Sequence, residues 1–289
     1  MDYESRVNWS RETILDLRDY WPLTLRQIFY QLVSRLLIPN KQGQYKALSA
    51  ALSRARKEGV IPWEAIEDRT RPLYGSAGWG SAASFLHHNL EALPDFYHRN
   101  LMWSQDCYIE LFVEKQALIT PFERAAGQYH LLVNMGRGYS STTVIKEMAD
   151  RLETAVDGGY DPVILAFSDL DPSGVDLVDN LSRQFLDFDL EPEVQRVALI
   201  FDQVEEYDLP HDPDALKMTD ARAKHFIEEY GQYAVELDAL SPAMLEELVR
   251  GAVESRIDRD SLEEQIEIEA EERETISARV DQWLGQVEE

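Results

Sequence analysis

The sequence has one cysteine, Cys107, in 289 residues. A single thiol excludes an internal disulfide framework and any cysteine-based zinc site. There is no run of 18 or more apolar residues, which excludes an ordinary membrane-spanning helix. The opening residues Met1-Asp2-Tyr3-Glu4-Ser5-Arg6 lack an apolar signal core, so a cytoplasmic location is expected. Bases are scarce: 28 Lys and Arg stand against 54 Asp and Glu, a formal net charge of −26. Lysine is the scarcer base, 7 against 21 arginines. This balance excludes a uniformly basic nucleic-acid coat. It suits a halophilic cytoplasm, where molar salt screens self-repulsion to about 3 Å. No Gly-x4-Gly-Lys-Ser/Thr loop occurs, so P-loop nucleotide hydrolysis is not expected of this chain.

The charge is unevenly placed. Residues 1–105 carry a net +2 and residues 106–289 a net −28. Between Thr24 and Arg71 nine bases oppose four acids. A basic island on an acidic protein is the footprint of contact with a phosphate backbone. Arg54, Arg56 and Lys57 are its candidate DNA-binding residues. A solvated helix face is the alternative.

The length suggests about two domains. The N-terminal part reads as three short helices. Ser10 caps the first, which ends at Trp21-Pro22; the second runs from Thr24 to about Leu37 and stops at Pro39-Asn40. The third spans roughly Tyr45–Glu58 and ends at Gly59. With the extended Val60–Trp63 behind them, they form a helix-turn-helix or winged-helix pattern. A glycine-rich stretch, Gly75–Gly80, precedes a helical pattern over Phe85–Tyr97. Beyond residue 106, apolar strands are predicted at Tyr108–Val113, Leu131–Val133, Val163–Phe167 and Val197–Phe201. Helices are predicted at Thr142–Ala155 and Val175–Leu186. Strands apolar on both faces, alternating with helices, predict an α/β fold with a covered parallel sheet. The remainder is acidic and helical: Asp220–Tyr230, a further strand at Tyr233–Leu237, and a Ser241-capped helix to about Ser255. An acidic helix closes the chain. The expected units are 1–105, 106–240 and 241–289.

Three acids stand just past predicted strand ends, where open parallel sheets do their chemistry. Glu114 follows the first strand, and Asp169 and Asp171 follow the third, in Asp-Leu-Asp-Pro-Ser-Gly. Carboxylates gathered without bases repel unless a cation sits among them. Oxygen ligands favour Mg²⁺. Gly136-Arg137-Gly138 lies between them; its glycines allow close backbone approach to a phosphate, and Arg137 adds charge. Glu236 and Asp238 either support this site or flank a strand.

Tyr30 lies roughly 110° from the apolar stripe of the second helix, with Arg26 one turn earlier. A partly exposed phenol beside a guanidinium is placed to meet a phosphate. An amphipathic tyrosine at a helix shoulder is the alternative. Tyr45, beside Lys46, is a reserve nucleophile or a DNA-facing aromatic. His87-His88 reads as a helix surface pair.

A strand-end glutamate, a glycine loop and a strand-end Asp-x-Asp-Pro-x-Gly, in that order, resemble the Toprim domain of topoisomerases, primases and some nucleases. Thr24–Tyr30 resembles the tyrosine motif of the topoisomerase VI A subunit and its meiotic double-strand-break relative. Those proteins join a winged helix bearing the tyrosine to a Toprim domain. Val113-Glu114-Lys115, Arg196–Leu199 and Gln203–Tyr207 also match family segments. The resemblance spans roughly residues 10–240. Where many relatives carry two adjacent tyrosines, this chain has Phe29-Tyr30. With 23 residues before the motif, it resembles the compact versions of the family.

The resemblance implies a Mg²⁺-dependent DNA transesterase. Tyr30 would be the nucleophile, Arg26 its phosphate partner, and Glu114, Asp169 and Asp171 the metal ligands. It also implies a homodimer that makes double-strand breaks with a covalent 5′-phosphotyrosyl link. Strand passage would require a separate ATPase subunit. Two other readings stand beside it: a Toprim nuclease using water, and a non-catalytic winged-helix DNA-binding protein.

Overall fold

The computed structural model describes residues 2–67, 78–136, 142–211, 216 and 222–287. Helix α1 (Tyr3–Asp16) starts earlier than a Ser10 cap requires. Asp2 caps it by accepting the Ser5 N–H at 2.8 Å. Ser10 instead donates its hydroxyl to the Arg6 carbonyl inside the helix, on the buried stripe Val7, Ser10, Thr13, Ile14. Burial, not capping, places that serine. Helix α2 (Leu25–Ser34) opens on a reciprocal capping box between Thr24 and Gln27, which satisfies two orphan N–H groups at once. Helix α3 (Gln42–Lys57) buries Leu48, Ala51, Leu52 and Ala55. The three helices pack together. The chain then returns beside the start of α2 through a parallel bridge between Leu23 and Ile66.

Helix α4 (Ala82–Phe96) leads into strand β1 (Cys107–Val113). With β2 (Leu132–Met135), β3 (Asp161–Phe167) and β4 (Glu193–Ala198), it forms an all-parallel sheet in the order β2-β1-β3-β4. Between the strands run α5 (Ile119–Gly127), α6 (Thr142–Asp157) and α7 (Pro172–Leu186). The fold is thus α/β. On one face Ile109, Leu111, Leu165 and Phe167 join a core that includes α5, α10 (Pro242–Glu254) and the N-terminal helices. On the other, Phe112 and Ile164 pack with Met148 and Leu152 of α6 and with Leu181 and Phe185 of α7. Cover on both sides is why β3 reads as an apolar run from Val163 and β1 as one broken only by Glu110.

Two predicted strands differ. The last sheet strand lies at 193–198 rather than Val197–Phe201, and Phe201 opens α8 (Phe201–Glu206). As an edge strand it carries polar residues: Arg256 donates to Glu193 at 2.8 Å and to Gln195 at 3.1 Å. An apolar-run criterion therefore passes over it. Tyr233–Leu237 contributes a single antiparallel bridge, Leu170 to Val235, after helix α9 (Ala223–Tyr230). Ser241 caps α10 as expected, accepting the Met244 N–H. The 29-residue α11 (Arg259–Val287) lies against α4. Among the described residues, no helix is long and apolar enough to cross a membrane.

One buried ion pair ties the sheet to α6. Glu110, in β1, is fully buried and accepts two bonds from Arg151, at 2.7 and 2.8 Å. Tyr108 and Asn134 donate to it as well, at 2.8 and 2.7 Å.

Candidate active site

The chain leaves β1 toward β2 on one side and returns to β3 on the other. The strand order therefore reverses between β1 and β3, and the crevice beyond their carboxyl ends is where open α/β sheets bind ligands. Glu114 and Asp169 lie at this point. The Asp169 N–H donates to Glu114 Oε2 at 3.0 Å, so the two acids are held together by backbone geometry. Asp171 stands at the N-cap of α7, accepting the N–H groups of Ser173 and Gly174 at 2.9 and 2.7 Å.

The glycine of the Asp-Pro-Ser-Gly turn has a steric cause. A Cβ on Gly174 would fall 2.2 Å from the Asp169 carbonyl oxygen. The first turn of α7 thus packs directly on the backbone of the metal-ligand candidate. Arg196 locks the same loop, donating to the Asp169 carbonyl at 2.6 Å and to the Leu199 carbonyl at 2.7 Å.

Lys115 brings a second set of acids to the crevice. Its ammonium is 2.8 Å from Asp169, 3.0 Å from Glu236 and 2.9 Å from Asp238. Glu236 and Asp238, on either side of the Leu237 turn, thus share a counter-ion with Asp169. Burial pushes the Asp169 carboxyl up to about 7, with the Glu114 charge adding and Lys115 opposing. Burial raises the Glu114 carboxyl too, against the Asp169 N–H bond. Burial opposes the Lys115 charge, but the surrounding Asp169, Asp238 and Glu236 outweigh it and hold the ammonium well above its ordinary range.

Helix α2 meets this cluster edge-on. Arg26 Nη1 lies 2.5 Å from Glu236 Oε2, which ties α2 to the acids gathered round Lys115. Tyr30 is only 6% exposed, which corrects the expectation of a partly exposed phenol. Its helix is covered on two flanks, by α1 and α3 and by the turn at Leu237–Ala239. Burial raises the Tyr30 phenol well above its ordinary value; Glu236 adds to this, while Arg26 and Lys115 pull it down. Phe29 packs edge-on against both Tyr30 and Tyr45, with ring centres 5.4 Å apart in each pair.

A cleft of about 780 Å³ opens between the N-terminal helices and the sheet; Arg26, Tyr45, Arg56, Glu114, Lys115 and Asp238 are among its lining. Of the basic island, Arg54 stacks on Tyr3 and pairs with Glu58 at 2.7 Å. Arg56 stacks on Trp63 and donates to the carbonyls of Trp63 and Ile66 at 2.8 and 2.9 Å. Lys57 is exposed at the end of α3. Arg137 and Gly138 lie outside the described residues. Gly136 is described, and a Cβ there would meet the Phe112 ring at 2.4 Å, so packing against β1 requires that glycine. His87 lies half-exposed on α4, 3.1 Å from Glu91.

Glu114, Asp169 and Asp171 offer carboxylate oxygens, the ligands Mg²⁺ takes, but the three do not bring ligand atoms within 4.8 Å of one another. Asp238 Oδ1 is buried without a hydrogen-bond partner among the described residues. Sequence reasoning missed Lys115 as a shared counter-ion, because its partners Asp169 and the Glu236/Asp238 pair lie far from it in the chain.

No protein-family model matches the chain, and no curated protein or solved structure matches it either.

Proposed function

We propose that the protein is a Mg²⁺-dependent DNA-cleaving tyrosine transesterase, resembling the topoisomerase VI A subunit in a compact, winged-helix-plus-Toprim form. The carrying observation is the ion pair of Arg26 with Glu236, an acid that shares Lys115 with Asp169 at the β1/β3 switch point. In this reading Tyr30 Oη gives its proton to water and attacks a backbone phosphorus; the Oη–P bond forms as the P–O3′ bond breaks, and the 3′-oxygen takes up a proton and leaves as a hydroxyl. The tyrosine is left esterified to the 5′-phosphate. Because burial opposes phenolate formation, Arg26 and Lys115 favour the charged phenol, and Arg26 steadies the phosphate oxygens. Glu114, Asp169 and Asp171 would hold Mg²⁺, which would supply positive charge to the phosphoryl transition state. Double-stranded DNA, a homodimeric arrangement and a separate ATPase subunit belong to the same proposal.

The burial of Tyr30 favours a second reading, a Toprim-type nuclease in which the same carboxylates activate water and the tyrosine only packs. Plasmid cleavage in molar KCl with Mg²⁺, stopped with detergent and run with and without protease, separates the two. Linear DNA that enters the gel only after proteolysis, and is lost in Tyr30→Phe, is the expected result. Protein-free breaks in both proteins overturn the transesterase in favour of the nuclease. Covalent product that survives in Tyr30→Phe but is lost in Tyr45→Phe moves the nucleophile to Tyr45.

A further inference from the structure

Away from the carboxylate cluster, three segments distant in sequence converge on a set of nitrogen and oxygen donors. His98 lies in the extended piece between α4 and β1, His130 just beyond α5, and Glu269 midway along α11. One ligand-competent atom from each lies within 4.8 Å of the others. The two imidazole rings meet edge-on with centres 4.5 Å apart. His130 Nδ1 is 3.3 Å from Glu269 Oε2.

Two further observations point to a ligand. First, His130 adopts φ +52°, in the left-handed region. That region costs a non-glycine side chain about 1 kcal/mol or more. Glycine or asparagine is the usual residue at such a helix end, yet here an imidazole is held there. Second, His130 Nδ1 lies 2.9 Å from the Arg99 carbonyl oxygen. A carbonyl only accepts, so the tautomer with the proton on Nδ1 satisfies this contact and leaves Nε2 as the ring nitrogen for a ligand. This is the outer-shell arrangement that orients metal-binding histidines.

Glu269 is held just as firmly. It is 6% exposed, accepts the Arg99 N–H at 2.9 Å, and pairs with Arg273 through its other oxygen. A carboxylate has about four lone-pair sites, so acceptor capacity remains. Arg99 itself is drawn off by Gln265 and Glu272 at 2.8 and 2.9 Å. His98 is exposed, the adjustable member and the door to solvent.

We propose that His98, His130 and Glu269 bind a transition-metal ion, Zn²⁺ by preference, with water completing the coordination. Two imidazoles and a carboxylate suit Zn²⁺ and disfavour Mg²⁺, which takes oxygen donors. The ion would staple α11 to the segment that enters β1 and to the end of α5. Its role is then to fix the acidic terminal helix on the body of the protein, by binding only the docked state.

The test uses the full chain, free of any histidine tag and stripped with EDTA. Zn²⁺ is titrated calorimetrically in excess Mg²⁺, which occupies the carboxylate cluster, and Co²⁺ is titrated with its visible spectrum recorded. The expected result is one equivalent of Zn²⁺ per chain and a Co²⁺ spectrum of tetrahedral intensity. His98→Ala, an exposed change, is expected to weaken binding by more than the roughly 10- to 100-fold that loss of an outer-shell partner costs. Asp171→Asn is expected to leave it intact. Absence of Zn²⁺ binding by the parent chain overturns the proposal, as does equal affinity in His98→Ala. Loss of binding in Asp171→Asn also overturns it, because the ion would then lie at the carboxylate cluster.

Discussion

Replacing Lys115 by methionine removes the one ammonium that faces three carboxylates and keeps its length and apolar stem. In the folded chain Lys115 lies within 3.0 Å of Asp169, Glu236 and Asp238. Asp238 is fully buried and Asp169 6% exposed, so neither regains water when the cation goes. Breaking a buried pair from one side costs about 3–5 kcal/mol. At about 2–4 °C per kcal/mol for a chain of this class, the melting temperature should fall by roughly 10 °C in EDTA at about pH 8.

The pH dependence has a definite sign. The folded-state pKa of Asp169 is raised, to about 7 from 3.8, and Lys115 is what restrains it. A carboxyl raised by folding binds more protons in the native state than in the unfolded chain. Stability is therefore greatest where it is protonated and declines as pH rises from about 4 through 7. In Lys115→Met that decline steepens, and the deficit against the parent shrinks at about pH 5. Millimolar Mg²⁺ should restore more of the melting temperature in the variant than it adds to the parent, because the vacated charge is then supplied by the metal. Thermal denaturation followed by circular dichroism in molar KCl measures all of this. A variant melting within about 2 °C of the parent in EDTA, or gaining no more from Mg²⁺, refutes the reasoning.

Two other substitutions probe the framework. Arg151→Met strands the fully buried Glu110 and should cost about 3–5 kcal/mol in denaturant unfolding. Adding Glu110→Gln should return part of that loss, because a neutral amide needs no counter-charge. Gly174→Ala drives a methyl to 2.2 Å from the Asp169 carbonyl. It should cost about 1–3 kcal/mol and abolish Mg²⁺-dependent stabilisation, read as loss of the Mg²⁺-induced shift in melting temperature. A retained shift would separate the glycine from the geometry of the acid pair.

Local patterns in the sequence carried much of the architecture. The largely apolar runs of β1 and β3 announced a sheet buried on both faces, and the helices between them announced parallel connections. Glu114, Asp169 and Asp171 were legible as strand-end acids because Glu114 directly follows β1 and the aspartates stand just past β3. The Ser241-Pro242 start of α10 was legible because capping is a matter of neighbouring residues. Edge strand β4 was not, since half its surface is polar and its partners lie on Arg256.

What only the tertiary structure decided is whatever depends on distant segments meeting. The periodicity of α2 put Tyr30 off the apolar stripe, and that remains true of the helix. Its burial comes from the packing of α2 among α1, α3 and the Leu237–Ala239 turn, the last some 200 residues later. Lys115 reads in sequence as a neighbour of Glu114. In space it is the shared counter-ion of Asp169, Glu236 and Asp238. Likewise His98, His130 and Glu269 have no common spacing, and only the packing of α11 on the chain entering β1 gathers them. Hydrophobic periodicity reports which face of an element is buried. Charge neutralisation in a buried site depends on which faces meet, and the fold alone sets that.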